Sequence, residues 1–129
     1  MNNLEVVQQL YQWFSQKQFD QIRTILSSDI EWIQNEGFPG GSIHYGIEEV
    51  LSGVLTNFKK DWKQWNAVVK EWFDSGHAII CLGYYEGIHK KTGKLMKADF
   101  AHVYWLKDLK IYKFQQFTDT LMIQRATEQ

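Results

Sequence analysis

Two hydrophobic periods divide the chain near Lys63, and that division constrains the fold more than any other feature. Before it, apolar residues recur at helical spacing; after it, they alternate with period two. Leu4, Val7, Tyr11 and Phe14 form one helical stripe, widened by Val6, Leu10 and Trp13, and Asn2 or Asn3 can cap it. Phe19, Ile22, Ile25 and Leu26 predict a second, short helix that Ser27, Ser28 and Asp29 end. A third helix follows from Ile47, Val50, Leu51, Val54, Leu55 and Phe58. Its first turn holds Glu48 and Glu49 and its last Lys59 and Lys60, as the helix dipole favours. Between the last two helices, residues 30–35 read as a strand with Ile30, Trp32 and Gln34 on one face. Residues 36–42 are a glycine-rich loop with the only proline.

The second half predicts strands near 64–74, 77–89, 96–106 and 110–119. Turns at 74–76, 91–94 and 107–110 separate them. Both faces of these strands are apolar. Ile79 and Cys81 alternate with Ile80, Leu82 and Tyr84; Phe100, Tyr104 and Leu106 alternate with Ala101, Val103 and Trp105. A sheet with one wet face alternates apolar and polar residues, so each face of this sheet needs a cover. The helices cover one; a second copy of the chain is the economical cover for the other.

At 129 residues the chain fits one domain, 1–129, able to bury a core without disulfides. Aromatic residues make up 16%, which excludes a disordered chain and calls for buried surface or a ligand to cover the rings. Fourteen basic residues face fifteen acidic ones, so no global field draws in nucleic acid or an anionic membrane. Lys90, Lys91, Lys94 and Lys97, close in sequence to Tyr84, Tyr85 and Trp105, could suggest a single-strand nucleic-acid platform. A hairpin tip whose lysines oppose edge pairing fits the near-neutral balance better. The single Cys81 excludes a cysteine-ligated zinc site, and His77 and His89 lack metal-ligand spacing, so no metal or cofactor is implied. The first residues carry no basic or long apolar leader, and no apolar run approaches the ~20 residues of a membrane span; the expectation is a cytoplasmic protein.

Three stretches carry a family resemblance: residues 26–32, residues 45–50, and residues 100–111 together with Phe117, Thr118 and Asp119. In this order and spacing they resemble the SnoaL-like branch of the nuclear transport factor 2-like superfamily, with its ketosteroid isomerases and polyketide cyclases. The resemblance implies an α+β fold shaped as a cone, with three N-terminal helices packed on a strongly bent, mostly antiparallel sheet. It also implies a ligand pocket in the cone and a homodimer through the outer face of the sheet. Where the family usually has glycine before the last strand, this chain has Leu109, which implies a different type of turn.

Carried over by position, the resemblance leaves a changed set of polar groups. The proton-shuttling carboxylate of ketosteroid isomerases falls on Gln34, and their oxyanion tyrosine on or near Leu10, with Tyr11 one residue and ~100° away. Their protonated acid falls on His102, which also matches a pocket histidine of the cyclases, whose last-strand acid falls on Gln116. The Asp-Arg-Asp set of epoxide hydrolases has no counterpart, since Arg23 and Arg125 lie off the core strands. The candidates for chemistry are therefore His102 as acid/base and Asp119, which could orient it but could equally cap a turn. The candidates for ligand contact are Tyr11, Trp32, Gln34, Phe100, Tyr104, Phe114 and Gln116, although aromatic residues and a strand histidine also serve as plain core. Three functions follow: an isomerase, cyclase or dehydratase acting on a small, mostly apolar, carbonyl-bearing molecule; a non-catalytic binding module; or an association domain with a filled interior.

Overall fold

The computed structural model describes residues 1–129. Its elements alternate as the two periods require. Helix α1 (Asn3–Ser15) starts at a capping box in which Asn2 and Glu5 satisfy each other's backbone N–H, and it buries Val6, Val7 and Leu10. Helix α2 (Phe19–Ile22) runs into a tighter turn over Arg23–Ile25. Strand β1 (Leu26–Ile33), strand β2 (Ile43–Tyr45) and helix α3 (Ile47–Val50) follow. Four long strands complete the sheet: β3 (Trp62–Asp74), β4 (Ala78–His89), β5 (Leu95–Lys107) and β6 (Lys110–Thr118). Helix α4 (Thr120–Thr127) ends the chain.

The six strands form one curled sheet in the order β2-β1-β6-β5-β4-β3, antiparallel except for β1 beside β6. The fold is the α+β class expected, with the helices filling the concave side. Bulges help to curl the sheet: the β3–β4 register shifts between Val69 and Glu71, opposite Gly83. A Cβ at Gly83 would lie 1.9 Å from the Val68 carbonyl oxygen, so only glycine lets the two strands approach here. The inward residues of β5 and β6, among them Phe100, His102, Tyr104, Phe114 and Gln116, are all buried.

Three local expectations need correction, and two short elements appear that the pattern did not predict. Residues 27–29 do not break a helix; they lie within β1, whose register with β6 shifts between Leu26 and Glu31 and so hides the alternation. The third helix keeps α geometry only to Val50 and then widens into a π turn over Leu51–Leu55, with the Thr56 N–H reaching the Leu51 carbonyl at 2.9 Å. Its apolar stripe still buries Val50, Leu51, Val54 and Leu55. Strand β2 is three residues long and α4 only eight, too short for a period to stand out. The turn at Leu109 is not of a type that avoids the left-handed region: Asp108 and Leu109 have φ of 54° and 61°. A leucine in that conformation costs ~1–2 kcal/mol, which the surrounding β5–β6 ladder offsets.

Candidate functional site

The concave side of the sheet, the inner face of α1 and the π turn that follows α3 enclose a hollow. Its lining includes Tyr11, Trp32, Gln34, Tyr85, His102, Tyr104 and Phe114. The hollow holds only about 40 Å3 of free space. That is room for a few waters, so a larger guest requires rings at the mouth to part.

The floor of the hollow is a hydrogen-bonded chain of side chains from four elements, joined by one backbone N–H from the loop after β1. His102 sits on β5, opposite Cys81 on β4 and Gln116 on β6. Its Nε2 meets the Tyr85 hydroxyl at 2.6 Å and its Nδ1 the Tyr11 hydroxyl at 2.5 Å. Tyr11 Oη also lies 2.7 Å from Tyr104 Oη and 3.1 Å from Cys81 Sγ. Gln116 Nε2 donates to Tyr85 Oη at 2.7 Å, and its Oε1 accepts the backbone N–H of Asn35 at 3.2 Å. Phe100 stacks flat on the imidazole, 3.8 Å between centroids.

One arrangement of these contacts runs head to tail, each group accepting from one neighbour and donating to the next. The Asn35 backbone N–H can only donate, so it holds the Gln116 carbonyl oxygen and turns the amide NH2 toward Tyr85. Tyr85 accepts from that amide, and its own proton goes to His102 Nε2. The neutral imidazole then carries its proton on Nδ1 and donates to Tyr11. Tyr11 passes its proton to Tyr104, an oxygen being a better acceptor than the Cys81 sulfur. In that arrangement the Tyr104 hydroxyl proton has no protein acceptor and faces the hollow, although the residue is buried.

Burial sets the charge states. It lowers the His102 pKa from 6.5 to about 3, so the ring is neutral at physiological pH. Burial likewise raises Tyr11, Tyr85 and Tyr104 well above the ordinary phenol range, and it pushes the Cys81 thiol up to about 12. No carboxylate lines the hollow.

The candidates from the sequence divide accordingly. Tyr11, Trp32, Gln34, His102, Tyr104 and Phe114 line one hollow. Phe100 and Gln116 stand behind it, the first backing the imidazole and the second orienting Tyr85. Gln34 lies just past β1, with its amide N–H on the Gly40 carbonyl at 3.3 Å. Asp119 is not brought to His102: it is exposed and caps α4, its carboxylate accepting the Met122 N–H at 3.3 Å. Sequence reasoning did not assign Tyr85 and Cys81 to the site. The inward parity of β4 could have placed both, and Tyr85 faces the core instead of forming a platform with the hairpin lysines.

A curled sheet closed by helices over an aromatic hollow with a few polar groups defines a cone-shaped, NTF2-like protein. A family profile described as the SnoaL-like domain matches residues 7–114, and the chain belongs to that family. An NTF2-like protein from Burkholderia thailandensis E264 shares 26% identity and a TM-score of 0.95, covering 100% of this chain and 99% of that one. TerC, co-crystallised with polyporic acid, has 20% identity and a TM-score of 0.87, covering 98% of each chain. IdmH, a candidate polyketide cyclase from Streptomyces antibioticus, has 15% identity and a TM-score of 0.84, covering 98% of this chain and 99% of that one. No curated protein matches the sequence.

The neutral ring has a consequence for stability. Between pH 6.5 and about 3 the unfolded chain protonates His102 and the folded one does not, so stability falls as pH falls through that window. Urea unfolding at a series of pH values should show wild type losing ~1.4 kcal/mol per unit relative to His102→Gln. Parallel curves for the two proteins would mean the ring is not held neutral.

Proposed function

We propose that the chain binds a small, mostly apolar, carbonyl-bearing molecule in the cone and that the Tyr104 hydroxyl donates to its oxygen. The observation that carries this reading is the buried Tyr104 hydroxyl, which lines the hollow and whose only hydrogen bond is to Tyr11, leaving it free to make a second. The hollow around it is walled by apolar side chains such as Leu10, Val54 and Phe114. Small organic molecules also occur in crystals of proteins of this fold. TerC was crystallised with polyporic acid, and a ketosteroid isomerase-like protein from Catenulispora acidiphila with trimethylamine.

A hydrogen bond from Tyr104 polarises the carbonyl and stabilises the negative charge that an enol or enolate develops. Enolisation is the step shared by isomerisation, cyclisation and dehydration beside a carbonyl. His102 serves that step as part of a neutral hydrogen-bond relay: it accepts from Tyr85 on Nε2 and donates from Nδ1 to Tyr11, and Tyr11 donates to Tyr104, which strengthens the hydrogen bond from Tyr104 to the carbonyl. The ring and the phenols keep their own protons; the proton that the α-carbon loses passes to water. The part of His102 thus runs through Tyr11 and not by contact with the ligand.

Assays with small β,γ-unsaturated ketones, whose conjugation is read by ultraviolet absorption, test this reading. Tyr104→Phe should lower kcat by ~100-fold or more and His102→Ala by a similar factor, with KM changed much less. Conversion unaffected by either variant would remove the relay from the reaction. A second reading, a binding module without catalysis, is favoured by the lack of any carboxylate in the hollow; saturable binding with no product by mass spectrometry would select it.

The partner expected from the sequence is a second copy on the convex face. Phe73, Leu82 and Phe117 lie exposed there, alongside half-buried Val103 and Trp105. Static light scattering at micromolar concentration should give a dimer that Leu82→Lys weakens; a monomeric wild type would contradict it.

A further inference from the structure

A second cavity, a vestibule of about 580 Å3, adjoins the hollow at the end of α1. Four residues line both spaces: Phe14, Leu55, Phe58 and Trp65. Phe58 and Trp65 stack at 4.3 Å and 7°, so a flat pair of rings stands between vestibule and hollow. The polar lining of the vestibule differs in kind from that of the hollow. It holds Lys17, Lys59 and Lys63, and no acidic side chain. None of the three lysines lies in an ion pair; the ion pairs of the molecule join Arg23 to Asp20 and Glu48, and His44 to Glu49.

The placement of Lys17 adds to this. It follows α1 with φ of 58°, donating to the Phe14 carbonyl while Gln18 donates to that of Trp13. This helix-ending position favours glycine, yet a lysine occupies it and stands at the rim of the vestibule. In a chain whose charges nearly cancel overall, three cations gather where the aromatic hollow opens.

We infer that the ligand is an amphipathic acid, whose carboxylate or similar oxyanion rests among Lys17, Lys59 and Lys63 while its apolar body passes the Phe58–Trp65 pair into the hollow. This rests on the reading of the hollow as a ligand site and adds the charge and orientation of the ligand. The lysines fix which end enters last; the carbonyl-seeking Tyr104 meets the opposite end. Because the lysines are exposed, their attraction is screened by salt.

Isothermal calorimetry with 2-naphthoate and its methyl ester tests the inference on the full chain. At low ionic strength the acid should bind about tenfold more tightly than the ester, and about 0.5 M salt should remove most of that preference. The exposed triple variant Lys17→Glu/Lys59→Glu/Lys63→Glu should lose the preference while binding the ester as wild type does. Equal affinities in wild type, or a preference that survives the triple variant, would overturn the charged mouth and leave the hollow standing. If neither compound binds, the hollow itself is not a ligand site, and the inference falls with it.

Discussion

The site depends on one imidazole held uncharged between two phenols. His102 has both ring nitrogens in short contacts with neutral phenols and a phenylalanine face against its plane, so no counterion touches it to stabilise a charge. That arrangement draws on α1 for Tyr11, on β4 for Tyr85, on β5 for the ring itself and on β6 for Gln116. The loop after β1 adds the backbone N–H of Asn35. A backbone donor cannot reverse, and it turns the Gln116 amide NH2 toward Tyr85. The fold thereby sets the state of a catalytic-type group without a carboxylate beside it.

Much of this was legible because β-strand parity is strict. Once His102 is placed inward, Phe100 and Tyr104 share its face, as Ile30, Trp32 and Gln34 share one on β1. The helical stripe of α1 likewise brought Tyr11 to the core side. What the sequence did not reveal was pairing across strands. That Cys81 stands opposite His102 and that Gln116 orients Tyr85 follows from register, which alternation within a single strand does not define and which a shift between Trp105 and Leu106 alters within the β5–β6 hairpin. Bulges compound the loss: after the shift between Leu26 and Glu31, the early part of β1 reads as a polar break. Asp119 looked like a partner for the imidazole because it ends the last strand, but a helix too short to recognise begins there and takes its carboxylate as a cap.

The polar groups of the cone sort by depth. At the floor are uncharged donors and acceptors whose ionisation burial suppresses; at the mouth are cations that water still reaches. The stacked rings of Phe58 and Trp65 stand between the two. Such a gradient suits a guest that is apolar along its body and polar at both ends, and it explains why many rings and few charges are needed inside.

Nitrogen-15 NMR of the histidine side chains addresses the central claim most directly, because the shifts of Nδ1 and Nε2 report which nitrogen bears the proton. The account requires His102 to be a single neutral tautomer protonated on Nδ1, unchanged from pH 7 to pH 5. A ring protonated on Nε2, or one that charges within that range, would contradict it.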